Sequence, residues 1–177
     1  MQLTRLKENL TIRRIVFIGF MGCGKTTISE EIQKYINEPL YNIDKIIQLQ
    51  EQRTISDIFF HRGEKFFRDT EEKIISSLTM NSTGIIDCGG GAVEREVNMR
   101  HLGTWGEVFW LDCPLEIIQK RVENSDRPLL QNKGHKELKD FYLRRNQLYK
   151  KYSKHRIDSS REIQIIINNI MEILSKG

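Results

Sequence analysis

The 177-residue sequence predicts a single α/β domain, residues 1–177, in which helices cover both faces of a five-stranded parallel sheet. Short apolar, β-branched runs alternate with longer segments of helical periodicity, which is typical of right-handed βαβ crossovers. No repeat, low-complexity tract or Pro/Gly-rich linker divides the chain. The predicted strands are 14–19, 40–43, 84–88, 107–112 and 154–158, and the predicted helices are 25–37, 44–51, 54–60, 64–80, 94–101, 114–123, 138–151 and 161–175.

The composition is that of a soluble, highly charged globular protein. Hydrophobic residues make up 38% of the chain, and no apolar run approaches the roughly 20 residues that span a bilayer. The three cysteines form no Cys-x-x-Cys pair, which favours a reducing setting without a zinc site. The net charge of +4 suits an anionic substrate, and no basic stripe interleaved with aromatic residues indicates nucleic-acid binding. We therefore expect a cytoplasmic monomer without a nucleic-acid or membrane partner.

A phosphate-binding loop is predicted directly after the first strand. Residues 19–26 read Gly-Phe-Met-Gly-Cys-Gly-Lys-Thr and match the pattern G-x-x-x-x-G-K-[ST] between a strand and a helix. Glycines let backbone amides face the phosphates, and the helix N-terminus adds positive potential. Lys25 is placed to contact the β- and γ-phosphates, and the Thr26 hydroxyl is placed to bind Mg²⁺. The predicted nucleotide-binding residues of this loop are Gly22, Cys23, Gly24, Lys25, Thr26 and Thr27.

The residues that follow the other strands are further candidates, because ligands bind beyond the carboxyl ends of the strands in an open parallel sheet. Asp44 follows the second predicted strand, and Gly89, Gly90 and Gly91 follow the third. Three consecutive glycines indicate a close approach of backbone to another group, with a flexible turn as the alternative. For Asp44 the alternative is a helix N-cap, a position that aspartate favours.

The segment of about 123–137 interrupts the regular alternation. It is polar, contains Pro128 and Gly134, and lies between two segments with a strong helical pattern. Because a structureless segment of this length in a compact domain is usually functional, we predict a lid, with a plain surface loop as the alternative.

Six features occur in order along the chain. They are G-x-M-G-x-G-K-[ST]-T at 19–27, Asp44, G-E-x-x-F-R-x-x-E at 63–71, Gly-Gly-Gly-Ala-Val at 89–93, Arg-Pro-Leu-Leu at 127–130 and R-x-x-x-Y at 145–149. In these features the chain resembles the shikimate kinase family. The resemblance implies a three-layer P-loop kinase fold with strand order 2-3-1-4-5 and a lid. It also implies Mg²⁺-dependent transfer of the γ-phosphoryl group of ATP to the 3-hydroxyl of shikimate, a step of aromatic amino-acid biosynthesis.

The resemblance implies how shikimate is bound. Arg68 and Arg145 are expected to grip its carboxylate bidentately, with surface salt bridges as the alternative for both. Glu71 can brace the Arg68 guanidinium across one helical turn. Asp44 is expected to orient or deprotonate the attacking hydroxyl, and the glycine run to bring backbone amides to the substrate. The predicted substrate-binding residues are Asp44, Arg68, Gly89, Gly90, Gly91 and Arg145, within or near a substrate-binding segment of about 43–72.

Two further arginines receive roles on the same basis. Arg127, in the predicted lid, is expected to close over the transferring phosphoryl group and stabilise its charge. Lys25, Asp44 and Arg127 are thus the predicted catalytic residues. Arg121 is similar in placement to the family arginine that stacks on adenine, with a solvated helix residue as the alternative.

The sequence departs from the family at the expected Mg²⁺ site. Many members carry Asp-x-Asp after the second strand, where the first Asp helps to hold the water shell of Mg²⁺. Here that position is Asn42, which is neutral and a poorer partner for a hard cation. We hypothesise that Asp87, two residues before Gly89, takes over part of this role beside Thr26. A structural role, hydrogen-bonding phosphate-loop amides or hydroxyls, is the alternative.

Two other functions fit parts of the sequence. The phosphate loop and lid would suit a kinase of another small hydroxy acid such as gluconate, although Arg68, Arg145 and the glycine run favour shikimate. A GTPase-like regulatory switch is the alternative from another class, because residues 87–90 fit D-x-x-G, the γ-phosphate-sensing turn. However, residues 132–135 lack the aspartate of the guanine-reading pattern [NT]-K-x-D.

Overall fold

The computed structural model describes residues 14–122 and 134–176, and its five strands form one parallel sheet of order β2-β3-β1-β4-β5. The predicted α/β class and strand order are confirmed, and the predicted strand bounds agree with the observed ones to within one residue. The strands are β1 (Arg14–Ile18), β2 (Leu40–Asn42), β3 (Gly84–Asp87), β4 (Glu107–Asp112) and β5 (His155–Asp158). The helices are α1 (Lys25–Gln33), α2 (Ile43–Glu51), α3 (Ile55–Asn81), α4 (Glu96–Trp105), α5 (Leu115–Val122), α6 (His135–Tyr152) and α7 (Ile163–Lys176).

The central strands are buried on both faces. Ile15, Val16, Phe17 and Ile18 of β1 are at most 1% exposed. Because successive side chains of a strand point to opposite faces of the sheet, this burial requires helices on both sides. Among the helices that cover the sheet, α1 contacts β3 and α6 contacts β4. The sheet is therefore the middle of three layers.

The strand register brings the predicted site residues to one edge of the sheet. In the parallel ladders, Asp87 at the end of β3 pairs with Asn42 at the end of β2 and with Phe17 of β1. The segment after β1 is the phosphate loop, and α1 begins at Lys25 within that motif. The three strand ends thus place the loop, Asn42 and Asp87 side by side.

Helix α3 contains a break at Gly63. Its backbone leaves the helical conformation there, with φ 78° and ψ 165°. This is a left-handed φ that favours glycine, and a Cβ at this position would meet nothing within 4 Å, so the requirement is conformational rather than steric. The predicted separation into two helices, 54–60 and 64–80, corresponds to this break.

The 3₁₀ turn Ala92–Glu94 follows the glycine run, and α4 starts two residues later than the helix predicted over 94–101. The amide of Glu94 donates to the Gly91 carbonyl at 3.0 Å, which tightens the chain before the helix. The predicted lid lies outside the described residues apart from 134–137, which form the start of α6. Among the helices described, none combines the length and apolar character needed to cross a bilayer.

Candidate active site

A cleft of about 1060 Å³ opens at the carboxyl ends of the strands. The structure brings every predicted site residue to this cleft except Arg127, which lies outside the described residues. The predicted residues on its walls are Gly22, Cys23, Gly24, Lys25, Thr26, Thr27, Asn42, Asp44, Arg68, Asp87, Gly89, Gly90, Gly91, Arg121 and Arg145.

The phosphate loop has the backbone that its glycines predict. Gly22 and Gly24 have φ values of 80° and 100°. At Gly22 a Cβ would also lie 2.6 Å from the Val122 side chain, so glycine is required sterically as well. Lys25 is 8% exposed, and its ammonium donates to the carbonyl oxygens of Gly19 at 2.9 Å and Phe20 at 3.1 Å. The lysine is therefore folded back on its own loop, with its donors paired.

Three polar side chains meet where α1, β2 and β3 converge. The Thr26 hydroxyl donates to Asp87 Oδ2 at 2.8 Å, and the Asn42 amide donates to the same oxygen at 2.6 Å. The pKa of the Asp87 carboxyl is raised, because the effect of burial outweighs the charge of Lys25 and these two hydrogen bonds, which lower it. With two donors on one oxygen, Asp87 is arranged as a hydrogen-bond acceptor.

Asn42 also begins α2. Its side-chain oxygen accepts from the Lys45 amide at 2.8 Å, so Asn42 is the N-cap of the helix. Asp44 lies two residues further on, in the first turn of the helix, and its alternative interpretation as the cap is wrong. The Asp44 carboxylate instead lies beside the glycine run, because a Cβ at Gly89 would be 2.5 Å from Asp44 Oδ1.

Arg68 is 8% exposed and is held by acidic residues of its own helix. It donates to Glu71 Oε2 at 2.8 Å, as predicted, and to Glu64 at 3.3 Å. Burial raises the pKa of the Glu71 carboxyl, an effect that Arg68 partly offsets. Glu71 Oε1 has no hydrogen-bond partner among the described residues and lies 3.1 Å from the Cβ position of Gly89.

The glycine run is packed against both arginines. A Cβ at Gly91 would overlap the Arg68 guanidinium, and one at Gly90 would lie 3.6 Å from Arg145 Nη1. The Tyr149 hydroxyl donates to the Gly90 carbonyl at 2.6 Å, which fixes the run from α6. The alternative of a merely flexible turn is therefore wrong, because side chains fill the space that a Cβ would need at Gly89 and Gly91, and Tyr149 holds Gly90.

Arg145 lies on α6, is 3% exposed and contacts the 3₁₀ turn. Its Nε donates to Glu94 Oε1 at 3.0 Å, and its Cζ lies 4.1 Å from the centroid of the Phe141 ring. The interpretation of Arg68 and Arg145 as surface salt-bridge residues is therefore wrong, since both guanidinium groups are buried at the cleft.

Arg121 also lines the cleft, and its guanidinium is hydrogen-bonded to backbone carbonyls instead of being only solvated. It donates to the Cys23 carbonyl at 3.3 Å and to the Ser159 carbonyl at 3.1 Å. Ser159 and Arg161 follow β5 and line the cleft, but the sequence analysis did not select them. The rule applied to the other strands, inspection of the residues after the carboxyl end, would have found both.

The opposite wall contains apolar side chains that the sequence analysis also missed. Ile55, Phe59 and Phe67 line the cleft from α3. They belong to a helical hydrophobic pattern, which sequence alone cannot divide between core and pocket. Together the phosphate loop, the acidic and basic side chains beside it and the parallel sheet define a P-loop kinase of a small molecule.

The comparisons with known proteins specify this class. A family model described as shikimate kinase matches residues 21–175, and the chain belongs to the shikimate kinase family. A shikimate kinase of Persephonella marina is 36% identical over 139 residues, 78% of this chain and 84% of that protein. One of Staphylococcus haemolyticus is 34% identical over 164 residues, 92% of this chain and 95% of that protein.

The same family appears among solved structures. The shikimate kinase of Acinetobacter baumannii in complex with shikimate superposes with a TM-score of 0.89 and 27% identity, covering 97% of each chain. The predicted three-layer kinase fold, the ATP-dependent phosphotransferase class and the shikimate kinase function are thus confirmed. The roles of individual residues remain predictions.

Proposed function

We propose that this chain transfers the γ-phosphoryl group of Mg²⁺-bound ATP to the 3-hydroxyl of shikimate, with the site residues in the roles developed below. The observation that supports these roles is the meeting of two buried arginines, Arg68 and Arg145, and the Asp44 carboxylate around a glycine run beside the phosphate loop. One anionic end and several hydroxyls are the groups that such a pocket suits. The complex of the Acinetobacter baumannii relative with shikimate supports the same acceptor.

In the proposed arrangement the acceptor is held at both ends. Arg68 and Arg145 bind the carboxylate, because paired guanidinium donors match its geometry. Asp44, beside Gly89, accepts hydrogen bonds from ring hydroxyls and takes the proton of the attacking one. The apolar wall of Ile55 and Phe59 packs against the ring and excludes water.

The nucleotide is held by the phosphate loop. Gly22, Gly24 and the N-terminus of α1 direct backbone amides to the phosphates. Lys25 exchanges its two loop carbonyls for phosphate oxygens and neutralises charge on the transferring group. Arg121 bounds the adenine end together with Ser159, and we propose that Arg127 contributes a second cation during transfer.

The residues present fit a Mg²⁺ ion. Thr26 Oγ1 and Asp87 Oδ2, 2.8 Å apart, are hard oxygen donors next to the loop that binds the phosphates. Among the described residues no group of three or more His, Cys, Asp or Glu could hold a metal, which suits an ion that keeps its waters and phosphate oxygens. When bound, Mg²⁺ neutralises the phosphates and orients them. We propose that Thr26 contacts the ion and that Asp87, with Asn42 as its hydrogen-bond partner, orders its water shell.

We also propose that the enzyme acts as a cytoplasmic monomer without nucleic-acid or membrane partners. Cys23, Cys88 and Cys113 are free and buried, which supports a reducing compartment. Light scattering on a size-exclusion column would give the mass in solution, and a dimer would contradict this assignment.

The first experiment is a coupled assay of ADP release from Mg·ATP, with shikimate and with gluconate as separate acceptors. We expect strong stimulation by shikimate and none by gluconate. Slow ATP hydrolysis that neither acceptor changes would contradict the proposed acceptor and leave the nucleotide site standing.

A further inference from the structure

The two arginines that face the glycine run belong to different helices. Arg68 lies on α3 and Arg145 on α6, and both must keep a fixed spacing if they are to share one carboxylate. The chain between them passes through the glycine run and the 3₁₀ turn Ala92–Glu94. The two residues at the end of that turn, Glu94 and Arg95, contact both helices.

Glu94 contacts α6. Its Oε1 accepts from Arg145 Nε at 3.0 Å and from Arg144 Nη2 at 2.8 Å, and its Oε2 accepts from Arg144 Nη1 at 3.1 Å. The ring of Phe141 covers one face of the Arg145 guanidinium. Glu94 therefore occupies the Nε edge of Arg145, while Nη1 lies on the side of Gly90.

Arg95 contacts α3 in the opposite direction. Its Nη2 donates to Asp69 Oδ1 at 2.6 Å, and its Nη1 donates to Glu72 Oε2 at 2.7 Å. Asp69 directly follows Arg68 in the sequence, and Glu72 directly follows Glu71, the partner of Arg68. The ion pairs of Arg95 therefore hold the same helical turn that presents Arg68.

We propose that Glu94 and Arg95 form a brace that sets the spacing of Arg145 and Arg68 on the substrate carboxylate. Neither residue lines the cleft, so we assign both as positioning residues. The inference rests on the proposed acceptor, because it assigns the two arginines to one carboxylate. Isolated surface ion pairs contribute little, but Arg145 is 3% exposed, and removal of the Glu94 charge leaves a buried guanidinium edge without its partner.

The test compares two acceptors that differ at the carboxyl group, which is an anionic carboxylate in one and a neutral methyl ester in the other. We would measure kcat/KM for shikimate and for its neutral methyl ester in Glu94→Gln and Arg95→Gln. The controls are Glu96→Gln and Arg100→Gln, which remove the same charges from exposed positions of the adjoining helix α4. We expect about a tenfold loss for shikimate in each brace variant, and a change below about twofold for the ester and in the controls. KM for ATP should not move.

The outcomes separate the two proposals. Wild-type enzyme without shikimate-dependent ADP release contradicts the proposed function itself. The brace is overturned if the wild type is active but the Glu94 and Arg95 variants keep its kcat/KM. It is also overturned if these variants lose kcat/KM equally for shikimate and for the ester. If Glu94→Gln does not fold, Glu94→Asp replaces it, because the shorter side chain keeps the charge but withdraws it from Arg145. In this variant too, kcat/KM should fall more for shikimate than for the ester. The double variant Glu94→Gln/Arg145→Lys adds a second check. If Glu94 acts through Arg145, adding Glu94→Gln to Arg145→Lys should lower kcat/KM for shikimate by less than about twofold.

Discussion

Asn42 and Asp87 face each other across the β2–β3 ladder, and the Asn42 amide donates to the Asp87 carboxylate at 2.6 Å. The same carboxylate oxygen accepts from Thr26, whose hydroxyl is the proposed Mg²⁺ contact. Where the family resemblance leads us to expect aspartate at the end of β2, the chain has the amide Asn42, and the carboxylate beside it is Asp87 at the end of β3.

The Asn42–Asp87 pair predicts the behaviour of two variants. Asp87→Asn should raise the Mg²⁺ concentration for half-maximal rate about tenfold, because no carboxylate then remains beside Thr26. The double variant Asn42→Asp/Asp87→Asn returns a carboxylate to the site from β2 and should recover most of the Mg²⁺ affinity. Calorimetry of Mg²⁺-dependent ATP binding gives a readout apart from turnover. An unchanged Mg²⁺ requirement in Asp87→Asn would show that the residue is structural.

The proposed binding of the substrate carboxylate by Arg68 and Arg145 predicts that lysine cannot replace either arginine. Arg68→Lys and Arg145→Lys should each raise KM for shikimate by about 10- to 100-fold, because a point charge replaces a planar bidentate donor. KM for ATP serves as the internal control and should stay within about twofold. Equal increases in both constants would instead indicate a general loss of structure.

The close approach at Gly91 predicts a steric effect. Gly91→Ala places a methyl group into the Arg68 guanidinium and should abolish measurable shikimate binding. Gly103→Ala is the matched control, since a Cβ there meets nothing within 4 Å on α4. It should raise the free energy of unfolding by about 0.5–1 kcal/mol without a change in kinetics. Wild-type affinity in Gly91→Ala would mean that Arg68 can move without loss of function.

The burial of Glu71 predicts a pH dependence of stability. Its folded-state pKa is raised above the ordinary value of 4.5. A carboxyl group with a raised pKa contributes stability that is present below pH 4.5 and is lost as pH rises through the folded-state pKa. The free energy of unfolding of wild type minus that of Glu71→Gln should therefore fall as pH increases from about 4 towards 7. Denaturant titrations at several pH values measure this difference, and a flat or rising curve would contradict it.

The elements and the phosphate loop could be predicted because local signals determine them. The apolar run before Gly19, the alternation of strands and helices and the glycines of the loop specify their own conformations. Asp44 and Asp87 were found because one follows β2 and the other lies at the carboxyl end of β3, and the parallel topology brings those positions together. The predicted bracing of Arg68 by Glu71 needed only helical spacing.

Contacts between distant segments could not be predicted in this way. Glu94 is paired with Arg144 and Arg145, some fifty residues later, and no periodicity relates them. The Asn42–Asp87 pair depends on the register of two strands, which a single sequence leaves open. Ile55 and Phe59 carry the pattern of a core helix, and only the assembled fold shows that they face the cleft.

The break at Gly63 divides α3 into two units that can open separately. Residues 55–62 carry the apolar wall of the cleft and the 85%-exposed Phe60, whereas residues 64–81 carry Arg68 and its acidic partners. Fraying of the first unit need not loosen the second, because the backbone leaves the helical path between them. Backbone amides of 55–62 should therefore exchange with deuterium faster than those of 64–81. If this difference in exchange is found, the part of α3 that lines the cleft with apolar side chains can move while the part that carries Arg68 stays in place.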